Sequence, residues 1–180
     1  MPDISRQEFE EFLTEAELNT WVSGKNKIEC SLIMDSKQYA YDRGDWSYVD
    51  TYFISEDKRV FWGFEVVYHR DSREQEWQVI MIRQYNGRLA DVVDLGKVDA
   101  LYDYLRQFRK RWLELPLAER RERKALLDPI TPATEASLYV YRRVPRTDAE
   151  GSFEQETLDY GFKTVLCHYF RRVMMAQLAS

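Results

Sequence analysis

Hydrophobic and polar positions along this chain change period several times, and each change marks an element. Phe9, Phe12, Leu13 and Ala16 recur at helical spacing, which predicts an amphipathic helix from residue 6 to about 18. Ser5 and Glu8 stand at capping-box positions, with Ile4 and Phe9 at the staple positions. Glu8, Glu10 and Glu11 suit the positive end of the helix dipole. The polar run 19–24 ends the helix. Short strands are expected within 27–41, and from Trp46 the chain alternates strictly. Trp46, Tyr48, Asp50 and Tyr52 fall on one face of a strand, Ser47, Val49, Thr51 and Phe53 on the other. Residues 60–68 and 77–85 are rich in aromatic and branched side chains and read as two further strands. The charged run 70–76 joins them, and Asn86-Gly87 reads as a turn closing the second.

Leu101, Tyr104, Leu105, Phe108 and Trp112 form a second helical stripe. Pro116 interrupts it, and about 118–127 suits a short helix before a loop at 128–132. Strand character returns at 138–143, gives way to a polar loop through Gly151, and resumes in the alternating run 162–174. The pattern predicts an α+β fold: a meander of three or four antiparallel aromatic-rich strands packed by the N-terminal helix and a central helical segment. One domain over 1–180 is expected, with an alternative division into half-units of about 1–94 and 95–180. A weak echo of Gly44-Asp-Trp46 in Gly151-Ser-Phe153 motivates that alternative.

The stretch 39–53 concentrates the candidate chemistry. Asp45 follows Gly44, where turn chemistry alone explains a short acid. Asp50 stands mid-strand among aromatic rings, where β-propensity disfavours it and a compensating donor or ligand is required. Trp46, Tyr48, Asp50, Tyr52, Trp62 and Glu65 are therefore the candidate ligand-binding residues. Rings supply contact area, and a carboxylate orients a cationic or hydroxylated ligand. The function expected is non-enzymatic binding of a small molecule or peptide in a pocket formed by this aromatic sheet face and closed by the N-terminal helix. The alternatives are a protein–protein interaction module and a hydrolase using Asp50, Glu65 or His69. The sequence contains no nucleophile motif, Gly-rich phosphate loop or zinc spacing, so no catalytic residue, cofactor or metal is assigned.

Composition narrows the partners. A net charge of -5 argues against general nucleic-acid binding, which needs a basic face. The basic residues of the middle helices, Arg106 to Lys124, interleave with Glu114, Glu119 and Glu122 and read as a solvated helix side. Cys30 and Cys167 form neither a metal spacing nor a disulfide framework, no apolar run is long enough to span a membrane, and the N-terminus does not resemble a signal peptide. A cytoplasmic protein with reduced thiols is expected.

Several motifs also occur in a fixed order. Leu13-x-x-Ala16 is followed by Asn19-Thr20-Trp21-x-Ser23-Gly24, then by Tyr41-x-x-Gly44-Asp45-Trp46-x-Tyr48-x-Asp50-x-Tyr52-Phe53, and downstream by Trp62-Gly63 and Tyr85-x-Gly87. Over residues 7 to about 90 this order resembles an uncharacterised bacterial domain family of unknown function, found alone or fused behind helix-turn-helix regulators. Ile54-Ser-Glu-Asp57 stands where that family carries a glycine. The resemblance implies a fold unit and a focal region, and brings no catalytic set with it.

Overall fold

A computed structural model describes residues 4–29, 35–72, 74–122, 139–148, 151–160, 163–176 and 178. In chain order the elements are α1 (Arg6–Asn19), β1 (Lys27–Glu29), β2 (Lys37–Arg43), β3 (Trp46–Ile54), β4 (Val60–His69) and β5 (Gln78–Leu89). A short 3₁₀ turn (Leu95–Lys97) leads into α2 (Val98–Glu114) and α3 (Leu117–Glu122), and β6 (Tyr139–Asp148), β7 (Gly151–Tyr160) and β8 (Lys163–Met174) complete the chain. The strands form one eight-stranded antiparallel sheet in the order β1-β2-β3-β4-β5-β8-β7-β6. The fold is mixed α+β, with more strand than the three- or four-stranded meander expected. The part of the predicted 118–127 helix beyond Glu122 lies outside the described residues, as does Cys30.

Two features of the sheet depart from the pattern reading. Asn86-Gly87 makes no turn, because β5 runs through it to Leu89. Gly87 is there for space: a Cβ at this position would lie 2.0 Å from Cζ of the Phe61 ring. The ring covers the glycine and leaves no room for a side chain. Gly87→Ala is therefore expected to overpack this spot and cost about 1–3 kcal/mol. Urea denaturation checks this, and an unchanged midpoint would remove the steric account. The second departure is the polar loop expected after residue 143 and through Gly151: β6 runs on to Asp148, and Gly151 opens a further strand, β7, rich in the acids Glu154, Glu156 and Asp159. Glu156 and Asp159 are buried, and Glu154 and Glu156 pair with Arg143 on the adjacent β6.

The chain divides into two compact units built from interleaved stretches. One comprises Met1–Phe53, Gly63–Gln84 and Arg172–Ser180, the other Ile54–Trp62 and Tyr85–Arg171. In the first, the Ser5 hydroxyl accepts from the Glu8 amide at 3.0 Å and caps α1. The apolar stripe Phe9, Phe12, Leu13 and Ala16 then packs with Ile4, Trp46, Tyr48, Val67, Ile80 and Met81. Phe12 lies stacked on Trp46, ring centroids 5.1 Å apart. Gly44 takes a φ of +60° in the β2–β3 turn, a conformation that suits glycine. That turn sets the register in which Tyr41 faces Tyr48 and Tyr39 faces Asp50.

In the second unit, α2 buries Leu101, Leu105, Phe108, Arg109, Trp112 and Leu113. Phe108 stacks on Tyr141 at 5.5 Å. Phe61, Tyr85, His168 and Phe170 form a separate aromatic cluster, with Phe61 and His168 edge to face at 4.8 Å. The helix ends at Leu115, whose extended backbone is what the following Pro116 demands.

Candidate functional site

Alternation along β3 turns Trp46, Tyr48 and Asp50 toward the interior, and the structure buries all three, at 4%, 0% and 2% exposure. Glu65 on β4 is buried beside them. Tyr52 is half-buried and stacks on Tyr39 at 5.6 Å. Trp62 does not join the group: it is 46% exposed, and its parity on β4 is opposite to that of Glu65. The aromatic face read from the sequence is thus a core face, shared with α1.

Two residues that pattern reading passed over complete this cluster. Arg83 on β5 donates from Nε to Glu65 Oε2 at 2.7 Å and from Nη2 to Glu17 Oε1 at 2.6 Å. All three side chains are almost fully buried. Both additions left a signal in the sequence. Glu17 continues the apolar stripe of α1 four residues after Leu13, and Arg83 occupies an inward strand position between Met81 and Tyr85. Charges at such positions need partners from another element.

The Tyr48 hydroxyl is buried and has no hydrogen-bond partner among the described residues. Burial raises its pKa well above the tyrosine range; the nearby Glu65, Asp50 and Glu17 raise it further, and Arg83 offsets part of this. Tyr48 therefore stays protonated and can only act as a neutral donor or acceptor. Chemically, the cluster is a guanidinium shared by two carboxylates beneath a helix. That geometry ties α1 to the sheet and presents no acid or base to solvent.

The remaining candidates sit at the rim of this unit. His69 packs against Trp46, ring centroids 4.5 Å apart, and its Nδ1 lies 3.8 Å from Asp71. Trp46 Nε1 donates to Glu8 at 3.2 Å, so the indole is held from both sides. Asp45 accepts from Arg70 Nε at 3.3 Å, and that guanidinium lies over the Trp77 ring at 4.3 Å. Tyr41 donates to Glu15, which also pairs with Arg43. Burial and that hydrogen bond push the Tyr41 hydroxyl up to about 12.

The second unit holds its own buried ionic cluster. Arg109 Nη1 donates to Glu156 Oε1 at 2.7 Å, and His168 Nδ1 lies 3.4 Å from Glu156 Oε2. Arg143 reaches Glu156 at 4.0 Å and pairs with Glu154. Burial by itself would raise Glu156, but Arg109, His168 and Arg143 together hold it well below the usual carboxylate range.

The opposite face of the first unit's strands is different in character. Val49 and Phe53 on β3, Phe64 and Tyr68 on β4, and Ile82 on β5 are half-buried, whereas Thr51, Val66 and Ile80 of the same parity are buried. The backbone bond from Met175 N to Ile80 O sets the β5–β8 register, which brings Val173 opposite Ile82. Val173 and Met175 are exposed.

Among the described residues no group of His, Cys, Asp and Glu can hold a metal ion, and no helix is long and apolar enough to cross a membrane. Cys167 is a free thiol whose sulfur accepts from Gln155 Nε2 at 3.3 Å. No family model, curated protein or solved structure matches this chain.

Proposed function

We propose that this chain is a non-enzymatic binding domain that engages a protein or peptide partner through the outer face of the first unit's strands. One observation carries the reading. On the inward face α1 packs over Trp46, Tyr48, Val67 and Met81, while on the outward face Val49, Phe53, Phe64, Tyr68 and Ile82 are half-buried and Val173 is exposed, beside the buried Thr51, Val66 and Ile80. Isolated exposed apolar residues need no explanation, but adjacent ones on one sheet face favour a contact surface. Small-molecule binding on Trp46, Tyr48 and Asp50 would require α1 to lift from the core, so the outward face is the better supported.

The test places a photo-crosslinking amino acid at Val173 and, as a control, at Glu11 on the exposed side of α1. A discrete adduct from position 173 alone is expected, and Phe64→Asp should abolish it. Thermal unfolding of Phe64→Asp checks that the variant remains folded. Equal labelling from both positions, or adduct formation that ignores Phe64→Asp, would reject the proposed face.

A further inference from the structure

The two buried ionic clusters occupy matching places in two matching sets of elements. Consider α1 with β3, β4 and β5, and α2 with β6, β7 and β8. In the sheet order each strand trio runs consecutively. On the helices, Phe9, Leu13, Ala16 and Glu17 are buried at the same spacing as Leu101, Leu105, Phe108 and Arg109. Each helix therefore carries one buried charge in its apolar stripe; in α2 the stripe runs on through Trp112 and Leu113.

The strands agree row by row. The bond from Arg70 N to Asp45 O sets the β3–β4 register, and counting from it pairs Tyr48 with Val67 and Asp50 with Glu65. Glu65 bonds Arg83 on β5, two residues from Met81. Across β6 and β7, Tyr141 pairs with Leu158 and Arg143 with Glu156. Glu156 meets His168 on β8, two residues from Leu166. The first row is thus Tyr48, Val67, Met81 in one set and Tyr141, Leu158, Leu166 in the other, and all six are fully buried. The second row is Asp50, Glu65, Arg83 against Arg143, Glu156, His168. Both tyrosines have hydroxyls raised well above the usual range, first by burial and next by the central glutamate of their own set.

The separation between counterparts is nearly constant through the helix and the first two strands. It shortens at the last strand, where residues 70–77 separate β4 from β5 but only 161–162 separate β7 from β8. Loop lengths vary readily between copies of one module, whereas inward positions are held by packing.

We infer that the chain is an internal duplication of one α-β-β-β module, whose polar row kept its central glutamate and exchanged the charges around it. Glu17, Asp50 and Arg83 surround Glu65 in the first copy; Arg109, Arg143 and His168 surround Glu156 in the second. The counterpart positions do not run through the Gly44 and Gly151 echo: Gly44 lies in the β2–β3 turn, whereas Gly151 opens β7, the counterpart of β4.

The test transplants one row into the other in the full-length protein. Glu17→Arg and Arg83→His alone should each lower the melting temperature by about 10 °C, since the first puts a second buried cation beside Arg83 and the second removes the guanidinium shared by Glu17 and Glu65. The triple variant Glu17→Arg/Asp50→Arg/Arg83→His installs the second copy's set around Glu65. If the rows are equivalent, the triple variant melts above both single variants and regains at least half of the loss. The reciprocal set, Arg109→Glu/Arg143→Asp/His168→Arg, is expected to show the same order against Arg109→Glu and His168→Arg. Unrelated rows would make the losses accumulate. A triple variant that melts at or below its single variants, or fails to fold while they fold, overturns the duplication.

Discussion

Arg83→Met is expected to cost about 3–5 kcal/mol, the largest loss from any single substitution proposed for the first unit. The side chain is 1% exposed and donates to both Glu17 on α1 and Glu65 on β4. Methionine fills much of the same volume but donates nothing, so two carboxylates are left in the core without their shared cation. Desolvation then favours protonation or local opening, and the opening is felt at α1 because Glu17 belongs to it. A further variant separates charge from packing. Glu17→Leu/Glu65→Leu/Arg83→Met removes the guanidinium together with both carboxylates it bonds, and buried ion networks replaced together by apolar groups are often neutral in stability. The triple variant should therefore recover most of what Arg83→Met loses. Urea unfolding of both variants measures it. A loss below about 1 kcal/mol for Arg83→Met would show that the guanidinium is not what secures the helix.

Glu156→Gln is expected to produce a loss of similar size in the second unit, again about 3–5 kcal/mol near neutral pH, and here the loss depends on pH. Burial alone would raise the Glu156 carboxyl, but Arg109, His168 and Arg143 hold it below its ordinary value in the folded protein. A depressed folded pKa contributes stability that is fully present above the unfolded carboxylate value, about 4.3. That stability is lost as pH falls toward the folded value. The wild type should lose its advantage over Glu156→Gln by about 1.4 kcal/mol per pH unit below roughly pH 4. Above that, the gap between the two proteins should be constant. Unfolding free energies from pH 3 to 7 give the comparison. A gap that stays the same across the whole range would mean that Glu156 is not held charged by its neighbours.

The two substitutions share a lesson about what each unit contains. Both clusters tie a helix to strands by a single charged side chain set in an otherwise apolar stripe, Glu17 in α1 and Arg109 in α2. Neither cluster presents a reactive group to solvent, which is why the proposed contact surface lies on the opposite face. Under the proposed function the outer apolar residues serve contact, while the buried networks fix the helices.

Local pattern was sufficient for α1, with its cap and staple, for α2 and its stop before Pro116, and for the inward parity of Trp46, Tyr48 and Asp50. Each depends on neighbours within a few residues, where spacing and capping chemistry act directly. Pattern misread Asn86-Gly87 as a turn because the reason for the glycine, the Phe61 ring, comes from another strand. It passed over β7 because acids disfavour a strand until their partners are known, and those partners, Arg109, Arg143 and His168, come from three other elements. The aromatic face of β3 was legible as a face, but alternation is the same whether the inward side meets solvent, a ligand or a helix. Only the packing of α1, and an arginine on β5 that no local rule pairs with Glu17, decided that this face is core.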